Sequence, residues 1–374
     1  MTTAVAKKTR TLVVDCDTHF WQPLAQWEQH IPATHKDAIV TYLTPKDDDG
    51  SKYMREKTAP FQAIKGGDDP VERIKWMDEE GIAVNLIFPG AGLVTYLPDP
   101  DAVSAACRAL NTWASRFAAH APDRLKPCMV LPWRYPEHAL EEFRYATQKL
   151  KLEAIFAAPT PVPERRWSDQ ALDPLWKAIQ DAGVGMTFHE FSRAPSGNVV
   201  ARASYKDSYP MMYLCGHTVE AQLCVMDLIL GGVLERFPRL NVGFVEAHCA
   251  WLPGWLALMD SLWPRTSTFF SQYRPAAVST TAAAPIGALS MKPSDYFRRQ
   301  CFIVAFPDDA WVEENVKYVG EDNVAICTDY PHPQTRYHVT RTLDQHQPWL
   351  TERVRRKILG ENAARFLGFK ARAS

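Results

Sequence analysis

VVDCDTHF, residues 13–20, sets Asp15, Asp17 and His19 at alternate positions behind a short apolar run. A strand has a side-chain period of two, so these three residues share one face. If that face looks into a core, each costs roughly several kcal/mol unless it is paired or bound to a metal. The same stretch bears on the fold. A doubly wound nucleotide-binding sheet places a glycine-rich loop after its first strand, whereas this turn reads DCDTHFWQP. No G-x-G-x-x-G or P-loop pattern occurs elsewhere, so neither a dinucleotide nor a P-loop nucleotide site is supported.

Working outward, TLVVDCD is followed by AVNLIFPG (83–90), LKPCMVLP (125–132), LEAIFAAP (152–159) and GVGMTFHE (183–190). NVGFVEAH (241–248), CFIVAFPD (301–308) and NVAICTDYP (323–331) complete the series. Continuous apolar runs of this length fit strands covered on both faces. Helical patterns lie between them, among them DPVERIKWMDEEG, PEHALEEFRYATQKL, LDPLWKAIQDAG and HTVEAQLCVMDLILGGVLERF. Several open with Pro or Asp and close at Gly. Alternating units of this kind predict an α/β fold, a (β/α)₈ TIM barrel in one domain spanning 1–374. Three segments exceed the bare barrel: 35–70, 190–216 and 265–295. The first two follow the carboxyl ends of strands, where barrel active sites form.

Composition narrows the function. Lys and Arg total 42 against 43 acidic residues, a net charge of -1, which argues against a bulk nucleic-acid binder. The start, MTTAVAKKTRTLVV, has too few apolar residues for a signal-peptide core. No run reaches the roughly 18 apolar residues of a membrane span, and VMDLILGGVL is short and interrupted by Asp227. The eight cysteines are scattered without a C-x-x-C, so a thiolate zinc site is unsupported and a reducing cytoplasm is expected.

Polar residues gather at the ends of strands one, five, six and eight: Asp17 and His19, His189, Glu246 and His248, Asp329. Asp17, His19, His189 and Asp329 form a set of nitrogen and oxygen ligands for one divalent metal. The plainer reading of each residue alone is a hydrogen-bonded histidine or a turn cap; their matching positions favour the metal. Asp15, two residues deeper than Asp17, reads as a structural acid. His248 is the candidate general acid or base, with Glu246 fixing its tautomer; direct ligation or a structural role is the alternative. His217, at the expected start of a helix, binds a substrate anion or serves as a cap. His332 in DYPHP reads mainly as a brace for its loop.

The motifs DCDTHF (15–20), MTFHE (186–190), GVLERFPRLNVGFVEAHCAWLP (232–253) and CTDYPHP (327–333) make the chain resemble the amidohydrolase superfamily. Within it the likeness is to the amidohydrolase 2, or ACMS-decarboxylase-like, branch, over almost the whole chain. The resemblance implies one divalent metal, zinc first and manganese second, at the mouth of a barrel. It places Asp17 and His19, His189 and Asp329 as ligands, with His248 as the sixth-strand histidine that assists proton transfer. An Asp-x-His pair replaces the His-x-His common in amidohydrolases, as carboxylates do in the decarboxylase-like branch. LEAIFAAP ends without the lysine needed for a carbamylated bridge between two metals.

Non-oxidative decarboxylation of an aromatic or unsaturated acid is the favoured chemistry, with Asp329 or a group linked to His248 as proton donor. Hydrolysis of an amide, ester or lactone by an activated water is the alternative, and hydration of a conjugated double bond a third. A binding protein that retains these residues as packing is the non-enzymatic reading. The partner expected is a small-molecule substrate. A homodimer is also expected, from the family and from aromatic residues in the insertions and the C-terminal WLTERVRRKILGENAARFLG.

Overall fold

The computed structural model describes residues 11–44, 64–160, 165–190, 205, 208–269 and 289–369. Eight parallel strands form one sheet in sequence order. They are β1 (Val14–His19), β2 (Val84–Phe88), β3 (Leu125–Met129), β4 (Ala154–Ala157), β5 (Gly185–His189), β6 (Val242–Val245), β7 (Cys301–Ala305) and β8 (Val324–Ile326). Each lies inside one of the apolar runs, except that β1 extends past TLVVDCD to His19. Every strand residue except Lys126 is buried, the reason those runs are continuous rather than alternating. The architecture is a (β/α)₈ barrel with long insertions.

Helix ends follow local chemistry. Asp69 accepts hydrogen bonds from Val71 and Glu72 N–H at the start of helix Pro70–Glu80, which ends at Gly81 with φ 73°. Helix Asp173–Ala182 stops at Gly183 with φ 66°, a left-handed conformation that costs glycine little.

The barrel closes between β1 and the segment after β8. Asp329 N–H donates to the Asp17 carbonyl at 2.9 Å, and His19 N–H to the Tyr330 carbonyl at 2.7 Å. Deeper in, Asp15 accepts from Thr328 N–H at 2.9 Å and from Thr328 Oγ1 at 2.6 Å. Burial pushes the Asp15 pKa up to about 7 against these hydrogen bonds. Asp15 is thus a structural acid that locks the two strands together. Thr328→Val removes one of its donors without changing side-chain shape. It should cost about 1–3 kcal/mol of stability, read as a lower urea midpoint at unchanged slope.

Between Asp15 and Thr18, β1 advances three residues while β2 advances two, from Asn85 to Ile87. This one-residue bulge breaks the period of two expected across Asp15, Asp17 and His19, and bulges of this kind re-aim side chains beside active sites.

The long insertions are partly helical at their ends. Residues 35–43 belong to helix Ala33–Leu43, and helix Leu252–Phe269 runs into the third insertion. Most of 35–70, 190–216 and 265–295 lies outside the described residues. The second insertion ends in a helix that starts at Tyr209, eight residues before His217. Continuous helical backbone runs to Leu230, through a π-helical turn at Cys215–Val219. His217 therefore does not open a helix, and no free N-terminal N–H groups are available there for an anion. No described helix is long and apolar enough to cross a membrane.

Candidate metal centre

At the carboxyl ends of β1, β5, β6 and β8, side chains converge in three adjoining groups that could hold a metal: Asp17/His19/His189/Glu246, His19/Asp329/His332 and Glu190/His217/Glu246. Asp17 Oδ1 lies 3.1 Å from His19 Nε2 and 3.2 Å from His189 Nε2. Asp329 Oδ1 lies 3.1 Å from His19 Nε2 and 2.8 Å from His332 Nδ1. Asp17 and Asp329 are wholly buried.

Whether a cation fits can be judged from the polar atoms left over. Beyond those contacts, Asp17 Oδ2 and Asp329 Oδ2 are buried without a hydrogen-bond partner among the described residues. Orphaned buried acceptors cost about 1–3 kcal/mol each, more when charged. Two of them, on Asp17 and Asp329, mark a place where a positive charge is favourable. Glu246, not Asp329, completes the group of Asp17, His19 and His189, while Asp329 groups with His19 and His332; such clusters of nitrogen and oxygen donors suit a divalent ion.

Local backbone aims these groups. Asp329 has φ 64° and Glu246 φ 54°, left-handed conformations that non-glycine residues adopt mainly where surrounding structure enforces them. His189 Nδ1 donates to the Glu190 carbonyl at 2.6 Å, which leaves Nε2 facing Asp17 and Glu246. A histidine whose far nitrogen is tied to a carbonyl is oriented as metal-ligating histidines are.

Electrostatics follow from this crowding. Burial alone would lower the His19 pKa, but the facing carboxylates of Asp17 and Asp329 carry it up to about 10. His189 is raised likewise: burial is outweighed by Asp17 and Glu246. Burial would raise Glu246, yet the imidazoles of His217 and His189 hold it well below the usual carboxylate range.

His217 and Glu246 form a second focus. His217 Nδ1 bonds to the Tyr213 carbonyl at 2.9 Å, and its Nε2 lies 3.3 Å from Glu246 Oε1 and 3.7 Å from Glu190 Oε2. Against the cost of burial, Glu190 and Glu246 raise its pKa to about 9. His217 lies within the π-helical turn Cys215–Val219, an irregularity often found in helices at functional sites.

His248 departs from expectation. Its Nδ1 pairs with Asp309 at 3.1 Å, its side chain is 34% exposed, and it belongs to none of the three groups. Glu246 bonds His189, His217 and Gln334 rather than orienting His248. The reason is backbone geometry. β6 ends at Val245, and left-handed residues at both Glu246 and His248 abolish the period of two that would have aligned them. Sequence reading also missed Glu190, visible only as the second half of an HE pair, and Gln334 and Asp309 in loops.

A family model for amidohydrolases of the amidohydrolase 2 branch matches residues 14–369. The chain belongs to that family. This chain is 20% identical over 300 residues to 2-amino-3-carboxymuconate-6-semialdehyde decarboxylase of Dictyostelium discoideum, covering 80% of this chain and 77% of the relative. Among solved structures it resembles 5-carboxyvanillate decarboxylase from Sphingomonas paucimobilis, with a TM-score of 0.74 at 20% identity over 96% and 100% of the two chains. It also resembles a dihydroxybenzoic acid decarboxylase from a Polaromonas species, bound to manganese and 2-nitroresorcinol. There the TM-score is 0.65 at 16% identity, over 96% of this chain and 97% of the other. At such identities the structural likeness is one of fold.

Proposed function

We propose that this member of the amidohydrolase family is a metal-dependent carboxy-lyase acting on an aromatic or unsaturated carboxylic acid. The observation that carries the metal requirement is the buried convergence of Asp17, His19, His189, Glu246 and Asp329, with Asp17 Oδ2 and Asp329 Oδ2 left without a hydrogen-bond partner among the described residues. Carboxy-lyase chemistry is supported by likeness, along most of the chain, to proteins named as decarboxylases of such acids.

In this reading Asp17, His19, His189 and Asp329 hold one divalent ion, zinc or manganese. Once bound, that ion supplies Lewis acidity to a substrate carboxylate and its neighbouring oxygen. The chain's own part is proton handling. His217 carries the proton, Glu246 lies between His217 and His189, and the pair delivers that proton to the carbon bearing the carboxylate. One C–H bond then forms, the C–C bond to the carboxylate breaks, and CO₂ leaves with no electron acceptor required. His248, out at the rim beside Asp309, stands outside this proton path.

The deciding experiment offers ortho-hydroxybenzoates and unsaturated acids beside amides and lactones, with metal restored. Released CO₂, with solvent deuterium on the carbon that lost it, is the expected result. Turnover confined to amides or lactones, with oxygen from labelled water in the product acid, would replace the lyase by the hydrolase alternative.

A homodimer is part of the proposal. Helices Glu220–Leu230 and Leu252–Phe269 lie side by side, linked by Trp255 Nε1 donating to the Gln222 carbonyl at 2.9 Å. These two helices expose Leu223, Leu258 and Leu262, apolar side chains that a partner subunit would cover. Light scattering should give twice the chain mass, and Leu223→Glu with Leu262→Glu should return it to one chain. A wild-type monomer at working concentration refutes this.

A further inference from the structure

Arg73, on helix Pro70–Glu80, is fully buried, and among the described residues none of its hydrogen bonds goes to a carboxylate. Burying a cation away from a direct counter-ion costs several kcal/mol, as an order of magnitude, so its bonds must return a comparable sum. Those bonds run to three places. Nη2 donates to the His19 carbonyl at 2.5 Å, Nε to the Gly66 carbonyl at 2.6 Å, and Nη1 to Asn85 Oδ1 at 2.9 Å.

Two of the three lead toward the ends of β1 and β8. The His19 carbonyl belongs to a residue whose imidazole faces Asp17 and Asp329. Asn85 Nδ2 donates to Asp15 at 3.4 Å, and Asp15 holds Thr328, the residue before Asp329. The guanidinium also lies 4.9 Å from the ring centre of Tyr330, the residue after Asp329. Tyr330 is itself fixed, stacked on Trp76 at 3.7 Å and donating its hydroxyl to the Lys65 carbonyl at 2.8 Å. One side chain from a neighbouring helix therefore braces both strand ends that supply Asp17, His19 and Asp329.

We propose that Arg73 is a positioning residue for the metal centre, holding the His19 and Asp329 backbone in register through the His19 carbonyl, Asn85 and Tyr330. The proposal rests on the metal reading of Asp17, His19, His189 and Asp329. Lysine cannot substitute: its ammonium is a point charge without the planar fork that reaches three acceptors at once.

The test titrates Co²⁺ into full-length wild type, Arg73→Lys and Asn111→Ala, following the visible absorption of the bound ion, with circular dichroism to confirm folding. Asn111 donates to the Val130 carbonyl at 3.0 Å, in a buried network away from the metal centre, so its variant reports destabilisation alone. Arg73→Lys should bind Co²⁺ about 10- to 100-fold more weakly, as outer partners of metal ligands do when replaced. Its Co²⁺ spectrum should also shift, while Asn111→Ala keeps wild-type affinity and spectrum. A folded Arg73→Lys with wild-type affinity and spectrum overturns the proposal, as does equal weakening in Asn111→Ala. Wild-type protein that takes up no Co²⁺, Zn²⁺ or Mn²⁺ removes the metal reading and this inference with it. If Arg73→Lys does not fold, Asn85→Ser, which cuts the link from Arg73 to Asp15, is read by the same two outcomes.

Discussion

Glu246→Gln should lower kcat by about 10²- to 10⁴-fold, the range for a lost general acid or base, while His248→Asn stays within a few-fold of wild type. The expectation rests on position. Glu246 is buried between His189 and His217, whereas His248 is bonded to Asp309 and open to solvent. Gln keeps the shape of Glu246 and a hydrogen-bonding oxygen toward Gln334, but it lacks the negative charge that helps keep His217 protonated. His217→Asn should fall with Glu246→Gln rather than adding to it, because residues acting as one unit are strongly non-additive. Steady-state kinetics on the substrate found in the panel checks this. Loss of turnover in His248→Asn with near-normal Glu246→Gln would return the proton-transfer role to His248.

Chelation, or His19→Ala, should abolish turnover to the limit of detection, a loss of about 10³-fold or more if the ion contributes several kcal/mol to the transition state. Adding zinc or manganese should restore the chelated enzyme but not His19→Ala. Binding only the folded state, the ion should also stabilise the protein by about 2.7 kcal/mol at one hundred times its dissociation constant, seen as a rise in Tm. The pH dependence has a definite sign. In the metal-free protein His19, with a pKa of about 10, carries a proton that ligation must displace. Metal affinity therefore rises with pH up to that region, and proton release on metal addition is the direct check. Affinity independent of pH between 6 and 9, on a rough scale set by the ordinary histidine range, would show that His19 is not a ligand.

The sequence alone determined the barrel. Eight apolar runs, each short enough for a strand and each followed by a helical pattern, carry their meaning locally, because burial on both faces requires every strand residue to be apolar. Asp17, His19, His189 and Asp329 stood out for the same reason: a charged or imidazole side chain ending such a run is costly unless something pairs with it. Asn85, a polar residue inside AVNLIF, carried the same signal unread.

The tertiary structure decided where those side chains point. Strand periodicity projects a residue's direction only while the backbone stays extended, and at this mouth it does not. The bulge in β1 separates Asp15 from Asp17, and left-handed residues after β6 turn Glu246 inward and His248 toward Asp309. His217 meets Glu246 from a π-helical turn within a helix rather than from a helix start. Arg73 lies in DPVERIKW, a charged helix in which nothing local distinguishes a buried arginine from a solvated one. Its role, like the contact between Asp17 and His189 across 172 residues, exists only once the barrel has closed and brought distant strand ends into one low-dielectric site.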